Sequence, residues 1–513
     1  MAYAKDAPSL WTELDSGRSD ILRRAGELSA LTIPKLFPVA DTKQNDGSRN
    51  QDYQSFGAQC VNHLSTKLML TLFAPSRPFV RLDPSDAVVA ESEAAGLTKE
   101  DLEAILAKGE LKTVKQLDAL ALRPKLFEIL KHLIVAGNVL AVLNSEKQTV
   151  RVLTLRNYVV KRDIDGVVKC LVIKECVKFD ELAEEVQAAI QTKDSGAKGR
   201  YGPDTKVDYY TVVERAGKGY NSEQWVNSNK LPEQFSGYYP EEQLPYRALT
   251  WDLADSDDYG TGLCEDYIGD LNALSVLSEA LVNAAILASE FRWLASPTGM
   301  TRPEDFSDSA NGECLPGSEG DLTLVQAGRE VAGAMQVQQS TIAEYINRLG
   351  RGFLMSTAVT RNAERVTAEE IRMQAQELET GLGGGYSRLA VDVQKPLAYF
   401  LLDTIGLKIK GKSFTPVIIT GLDALSRNGD LENLKLFLQD VGALGQFPPE
   451  VLARLKVDEI VRDLGTGRGI DAKKYVKSAS EVSSDRAEEA GREVATAGGV
   501  AQAEAAAQQP GAV

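Results

Sequence analysis

Histidine is nearly absent. The 513 residues hold two, His63 and His132, each among apolar neighbours in a helical pattern. Zinc sites and hydrolytic triads built on imidazole need more than this, so such chemistries are close to excluded by arithmetic. Cysteine is scarce too: Cys60, Cys170, Cys176, Cys264 and Cys314 are scattered and odd in number, which fits reduced thiols better than a disulfide framework. Cys170 and Cys176 share one face of a strand pattern, but at ~3.3 Å per residue they stand too far apart along it to bridge. No uninterrupted apolar run approaches ~18 residues, so no membrane span is expected. The stretch Leu133–Leu143 comes closest, and Gly137-Asn138 interrupts it. The N-terminus lacks the basic-then-apolar order of a secretory signal. Positive charge is in deficit: 57 Lys and Arg stand against 73 Asp and Glu, a net charge of −16. Tight binding of nucleic acid needs clustered Lys and Arg, so this balance argues against a protein that grips DNA. It leaves open one that surrounds DNA without gripping it.

What is present is an ordinary globular composition, 43% hydrophobic and 25% charged, in a chain long enough for about three domains. Helical spacing covers 9–31, ended by the prolines of TIPKLFP, and 53–73, where Val61, Leu64, Leu68 and Leu72 recur at the 3-4 interval. Further helices are expected at 98–120 and 124–136. From 149 to 260 the texture changes to strands. TVRVLTLRNYVV and VVKCLVIKECVKF flank Asp165-Gly166, a hairpin signal, and VDYYTVVER with EQWVNS forms a second pair. A short helix near 180–192 lies between them, and YRALTWDL follows. A long helix over 265–289 is apolar on most sides and rich in small residues, which implies burial, in part against other subunits. The Pro-, Gly- and acid-rich excursion 295–328 separates it from a second long helix at 330–350, as an appendage on a two-helix stalk. Residues 354–366 read as a loop. Thr367 and Glu370 form a capping box that opens a helix to Leu382, and Gly383–Gly385 break it. A helix over 386–408, a strand TPVIIT, and helices at 430–444 and 448–464 follow. The Ala-, Glu- and Gln-rich end from 478 has few apolar residues to bury and is expected to be partly disordered.

Three motif matches fail on context. Gly406 to Ser413 spells G-x-x-x-x-G-K-S, but a phosphate loop needs a strand before it and a helix after it. Here a helix precedes, a strand follows, and Pro416 stands close behind Ser413. A P-loop ATPase is kept as an alternative, tested by hydrolysis with Lys412→Ala. The run Asp252–Gly260 resembles the start of a calcium loop, yet its twelfth position lacks the bidentate Glu. Gly465, Gly467 and Gly469 have no strand before them. Arg361 and Arg365 in the 354–366 segment are candidates for phosphate contact, since guanidinium pairs well with phosphate.

Several segments together carry a resemblance. They are TIPKLFP (32–38), DYQSFGAQCVNHLSTKLMLTLF (52–73), LFEILKHLIVAGNVLAVL (126–143), DYGTGLCEDYIGDLNALSVL (258–277), RNAERVTAEEIRMQAQELETGLGGGYSRL (361–389) and TGLDALSRNGDLENL (420–434). In this order, over about 9–465, the chain resembles the portal proteins, or head-to-tail connectors, of short-tailed T7-like bacteriophages. The ERVTAEEIR block is highly specific. The octapeptide at 406–413 belongs to no motif of that family.

The resemblance implies an α+β, mainly helical fold, a portal fold with wing, long-helix stem, clip, tunnel loop and crown, assembled as a ring. The implied boundaries are an N-terminal wing at 1–264 (helical over 1–148, strand-rich over 149–260), stem helix 265–290, clip 291–328, second stem helix 329–353, tunnel loop 354–366, wing helices and strand 367–420, crown 421–477 and a flexible tail 478–513. It implies a homo-oligomer of twelve subunits at one capsid vertex, with double-stranded DNA passing through during packaging and ejection. The other implied partners are the terminase large subunit, a tail adaptor, the major capsid and scaffolding proteins and internal core proteins, with no membrane. The implied place is the virion, after assembly in the host cytoplasm. Arg361, Asn362 and Arg365 would line the channel, and Asp305, Asp308, Glu313 and Glu319 of the clip would dock partners. No cofactor, metal or catalytic residue is expected. A generic helical scaffold or adaptor without a DNA role is the remaining alternative.

Overall fold

Two helices occupy the stretch expected as one. In the computed structural model, which describes residues 6–37, 53–74, 78–83, 99–193, 202, 204–289, 291–326, 328–355, 368–383, 385–405, 417–419 and 439, α1 (Ala7–Asp15) and α2 (Ser19–Leu31) are separated by a three-residue break. The break turns Arg18 into the protein. Its guanidinium pairs with Asp15 at 2.6 Å and donates to the carbonyls of Leu155 and, at 2.8 Å, Tyr158. The sequence pattern registers helical spacing on both sides and not the inward-turned cation between them. The chain divides into two units, Met1–Ala424 and Leu425–Val513, and every element below belongs to the first.

Helix α3 (Phe56–Leu72) follows the expected spacing, with Val61, Leu64, Leu68 and Leu72 all fully buried. Each such side chain contributes about 1.5–3 kcal/mol of hydrophobic stabilisation. A short β1 (Arg81–Asp83), α4 (Lys99–Ala119) and α5 (Arg123–Ala136) come next. Gly137 caps α5 in the left-handed region at φ +71°, and a Cβ there would lie 2.3 Å from the Thr261 carbonyl carbon. Only glycine fits that corner.

After the short β1, the strand-rich part begins at Asn138, inside the stretch expected to be helical up to 148. β2 (Asn138–Asn144) is buried at four successive positions, and a strand covered on both faces shows no polar alternation to betray it. The run TVRVLTLRNYVV is likewise two strands, not one: β3 (Thr149–Leu153) and β4 (Tyr158–Arg162), parted by a turn in which the Asn157 amide donates to the Thr154 carbonyl at 2.9 Å. They enter different sheets. The Asp165-Gly166 hairpin forms as expected between β4 and β5 (Val168–Lys178), with Gly166 at φ +77°. After α6 (Glu184–Lys193), β6 (Lys206–Ala216) and β7 (Gly219–Val226) make the second expected hairpin. β8 (Asn229–Lys230) and β9 (Gly237–Pro240) both pair with β7, whereas β10 (Tyr246–Thr250) returns to β2. The result is a three-stranded sheet ordered β10-β2-β3 and a six-stranded one ordered β4-β5-β6-β7-β8 with β9 on β7.

One hydrophobic cluster joins the two sheets through Leu140, Leu153, Tyr158, Leu171 and Val213. A second seats Leu10 and Trp11 of α1 on Val159, Val172 and Tyr210. The short α7 (Leu263–Asp266) leads into α8 (Ile268–Ser289), close to the expected long helix. Then come β11 (Phe291–Ala295), α9 (Pro303–Asp308), β12 (Leu322–Gln326) and α10 (Gly328–Gly352). α11 (Ala368–Gly381) is followed by α12 (Gly385–Leu389), one π-helical turn at Ala390–Gln394 and α13 (Lys395–Thr404). The expected helix over 386–408 therefore carries a wide turn in its middle. β13 (Val417–Ile419) pairs antiparallel with β1, Arg81 opposite Ile419. The crown region apart from residue 439, the tail, the octapeptide at 406–413 and the glycines at 465–469 lie outside the described residues.

Candidate functional site

The α8–α10 pair and the segment it carries are the part of the chain whose chemistry does not close on itself. α8 packs along α10. At their root, Tyr267 meets the buried Phe353 with ring centroids 5.3 Å apart, Leu271, Leu274 and Leu349 are buried, and Arg348 reaches Asp270 at 3.2 Å. Beyond that root the cover ends. Val276 is 64% exposed, Val282 45%, Ile286 57% and Leu287 49%. By length and composition α8 is apolar enough to cross a membrane, contrary to the expectation from uninterrupted runs. Ser275, Ser278, Glu279 and Asn283 interrupt the runs without lowering the average much. A helix apolar nearly all round and this bare calls for a covering surface.

Between the two helices, β11 and β12 form an antiparallel ladder from Phe291–Gln326 to Ala295–Leu322. Neither strand was foreseen in a stretch dominated by Pro, Gly and acid. Trp293 packs edge-on against Phe306 of α9, centroids 5.1 Å apart, while Leu294 and Met300 remain exposed. The four expected docking carboxylates, Asp305, Asp308, Glu313 and Glu319, are all exposed. Two have local work: Asp308 accepts from the Ser307 hydroxyl at 3.3 Å, and Glu313 accepts from the Ala310 amide at 2.9 Å. The residue that organises the loop is Asp321, which sequence reasoning passed over. One of its carboxylate oxygens, Oδ2, accepts from the amides of Met300 (2.9 Å), Thr301 (3.1 Å) and Ser318 (3.1 Å) and from the Thr301 hydroxyl (3.2 Å). These bonds hold its carboxyl below the ordinary range. A single Asp among many in a loop carries no spacing that could have marked it.

Arg361, Asn362 and Arg365 lie outside the described residues, as does Thr367 of the expected capping box. The described residues on either side of them meet α3. Leu354 and Met355 follow α10, with the Cys60 Sγ 3.6 Å from the Met355 Sδ. On the far side, Lys67 pairs with Glu377 of α11 at 2.8 Å. Burial pushes the nearby His63 down, with Lys67 adding to the effect and a hydrogen bond to the Leu354 backbone opposing it.

The calcium-like loop has a structural use. Asp258 pairs with Lys161 at 2.9 Å and accepts from the Arg162 amide at 2.8 Å, and Asp252 bridges to Thr261. Among the described residues no group of His, Cys, Asp and Glu is placed to hold a metal ion. Burial pushes the Cys60 and Cys170 thiols up to about 12, the wrong direction for nucleophiles.

The family described as bacteriophage head to tail connecting protein matches residues 4–476. The portal protein of Enterobacteria phage SP6 is 33% identical over 450 residues, 87% of this chain and 85% of that protein. That of Pseudomonas phage phiKMV is 32% identical over 491 residues, 93% of each, and that of Escherichia phage T7 is 32% identical over 443 residues, 84% of this chain and 80% of its own. A chain from the virion of a native gene transfer agent particle aligns with 79% of this chain and 93% of its own length, at 12% identity and a TM-score of 0.33, too low to argue architecture from. A match spanning almost the whole sequence and relatives one-third identical over most of it lead to one conclusion: this chain belongs to the bacteriophage head-to-tail connecting proteins, the portal proteins of T7-like phages.

Proposed function

We propose that copies of this chain assemble into a ring of twelve at one capsid vertex, and that double-stranded DNA passes through its centre, inward during packaging and outward during ejection. The observation that supports the ring is the exposed apolar face of α8: Val276, Val282, Ile286 and Leu287 stand largely open among the described residues, and a neighbouring copy would cover them. On this reading the α8–α10 pair is the stem and 291–328 the clip, where the terminase large subunit and later a tail adaptor dock. Residues 354–366 are the tunnel loop, and 421–477 the crown, facing internal core proteins inside the head. The strand-rich body is the wing, toward the capsid and scaffolding proteins. The chain acts in the virion after assembly in the host cytoplasm, and its work is mechanical.

A ring repeats every side chain by the subunit count, so Arg361, Asn362 and Arg365 would form a narrow belt that meets backbone phosphates without reading bases. The net charge of −16 suits a conduit, because each neutralised phosphate adds affinity and so hinders sliding. Electron microscopy of the purified full chain tests the proposal. Rings with a central hole of duplex width support it; a monomer at all concentrations, or a compact oligomer without a hole, overturns it. Arg361→Glu with Arg365→Glu should then leave rings intact and lower retention of packaged DNA.

A further inference from the structure

The appendage between α8 and α10 shows an apolar face that its own fold half covers. Trp293 of β11 and Leu324 of β12 stand directly opposite each other in the ladder, so their side chains leave the same face of the ribbon. α9 meets that face through Phe306, which packs on Trp293, and the cover stops there: Trp293 is 47% exposed, and Leu324 is exposed as well. At the tip of the ribbon Met300 is 74% exposed. Its backbone is tied down. The amides of Met300, Thr301 and Ser318 donate to the Asp321 carboxylate, and the Gly299 amide donates to the Ser296 carbonyl at 3.1 Å. A two-stranded ribbon is marginal alone in water, and large apolar side chains left open on it call for a cover. A side chain held outward on a tied loop also enters an interface with little ordering left to do.

Charge decides what can supply that cover. Residues 291–326 hold two cations, Arg292 and Arg302, against six carboxylates. Glu304, Asp305 and Asp308 are exposed on α9, the helix that carries Phe306, and Glu313 and Glu319 are exposed on the loop after it. Arg292 precedes Trp293 on β11 and so leaves the opposite face of the ribbon. An acidic rim of this kind repels a nucleic-acid strand, and a second copy of the chain brings the same acids to the contact. A basic polypeptide meets the rim with opposite charge and the centre with its apolar side chains.

We propose that the Trp293–Leu324 face, with Met300 at its tip, is the docking surface of the appendage for a partner protein whose contact surface is basic around an apolar pocket. It rests on the reading of 291–328 as the clip, and it puts the centre of docking on the apolar face instead of the carboxylates. Trp293 is the anchor, as large aromatic side chains at the centre of an interface are. Glu304 and Asp305 steer the approach from the rim.

Surface plasmon resonance of the full chain against the terminase large subunit and the tail adaptor of the same phage, as separate probes, tests the proposal. Trp293→Ala should weaken binding of at least one of them by about tenfold or more, mainly through faster dissociation. Glu304→Lys with Asp305→Lys should slow association by about tenfold and remove most of its salt dependence. Met300→Ser alters only an exposed side chain and should weaken binding by about threefold or more, so it decides the matter if Trp293→Ala loosens the ribbon. Affinities within about twofold of the parent in the Met300 and charge-reversed variants overturn the surface and leave the clip reading in place. A parent association rate that does not fall with added salt does the same. Loss of rings in Met300→Ser, seen by electron microscopy, would give the face to a second copy and overturn it too. A parent chain that binds neither protein overturns the clip reading itself, and this surface with it.

Discussion

Helices α5 and α8 are built from the same residues, leucine, isoleucine, valine and alanine, and end in opposite surroundings. α5 buries Leu126, Ile129, Leu130, Leu133, Ile134 and Val135 against the rest of one chain. α8, the longer of the two, buries Leu271 and Leu274 and leaves most of its remaining length open. The body around α5 is thus completed by its own sequence, with α2, α3, α7 and the β10-β2-β3 sheet supplying the cover. The α8–α10 pair is completed only at its root. Apolar content alone does not say which surface will satisfy it, and here the difference marks where folding ends and assembly begins.

The sharpest way to break that contrast is to place the same charge in both helices. Leu133→Asp puts an unpaired carboxylate in a fully buried position, which costs several kcal/mol, on the order of the whole stability of a domain. No soluble folded chain is expected by circular dichroism. Ile286→Asp should leave the thermal transition of the single chain within about 0.5 kcal/mol of the parent, as for an exposed site, while size-exclusion chromatography shows loss of the ring. If Ile286→Asp rings form normally, α8 is not the assembly surface.

Gly137→Ala tests the body's tightest joint. The new Cβ meets the Thr261 backbone at a left-handed φ, so a loss of about 2–4 kcal/mol is expected in chemical denaturation, with ring size unchanged in whatever fraction folds.

Acid separates the two regions next. His132 of α5 is buried, and burial lowers its pKa from 6.5 to about 4, with Glu128 opposing weakly. Below pH 6.5 the unfolded chain takes up the proton first. Stability is therefore lost as pH falls from 6.5 to about 4, by about 3 kcal/mol in all, and levels off below. Denaturation midpoints across that range check the slope, and His132→Leu should flatten it. The α8–α10 pair holds no histidine, so no imidazole loads its packing in this range.

The same contrast explains what could be read from the sequence. α3, α8 and both hairpins were legible because their apolar spacing or their Asp-Gly turn is local. β2 was missed because burial on both faces removes alternation, and β3 and β4 merged because the turn at Leu155–Asn157 contains no glycine or proline. The break before α2 was hidden because it is made by Arg18 reaching carbonyls far along the chain. β11 and β12 went unseen because the acidic stretch around them dominates the composition. Of the site, the family resemblance marked the regions, and loop acids were chosen by charge; Asp321 was invisible because its role is to accept backbone amides, which no spacing records.

Asp321→Asn gives the smallest effect and the finest test. The carboxylate is half-buried, and four donors converge on one of its oxygens. Asparagine keeps the shape and one acceptor but removes the charge, so these bonds weaken without a cavity. Backbone amides of Met300, Thr301 and Ser318 should exchange faster, while those of α5 and β5 keep their protection. The parent should show the same loosening when pH falls through the depressed range of this carboxyl, because the contribution of such a group exists only while it is ionised. If instead α5 loosens together with the hairpin, the body and the α8–α10 region unfold as one cooperative unit. The bare face of α8 would then be a strain on the whole chain and not a separable surface awaiting its neighbour.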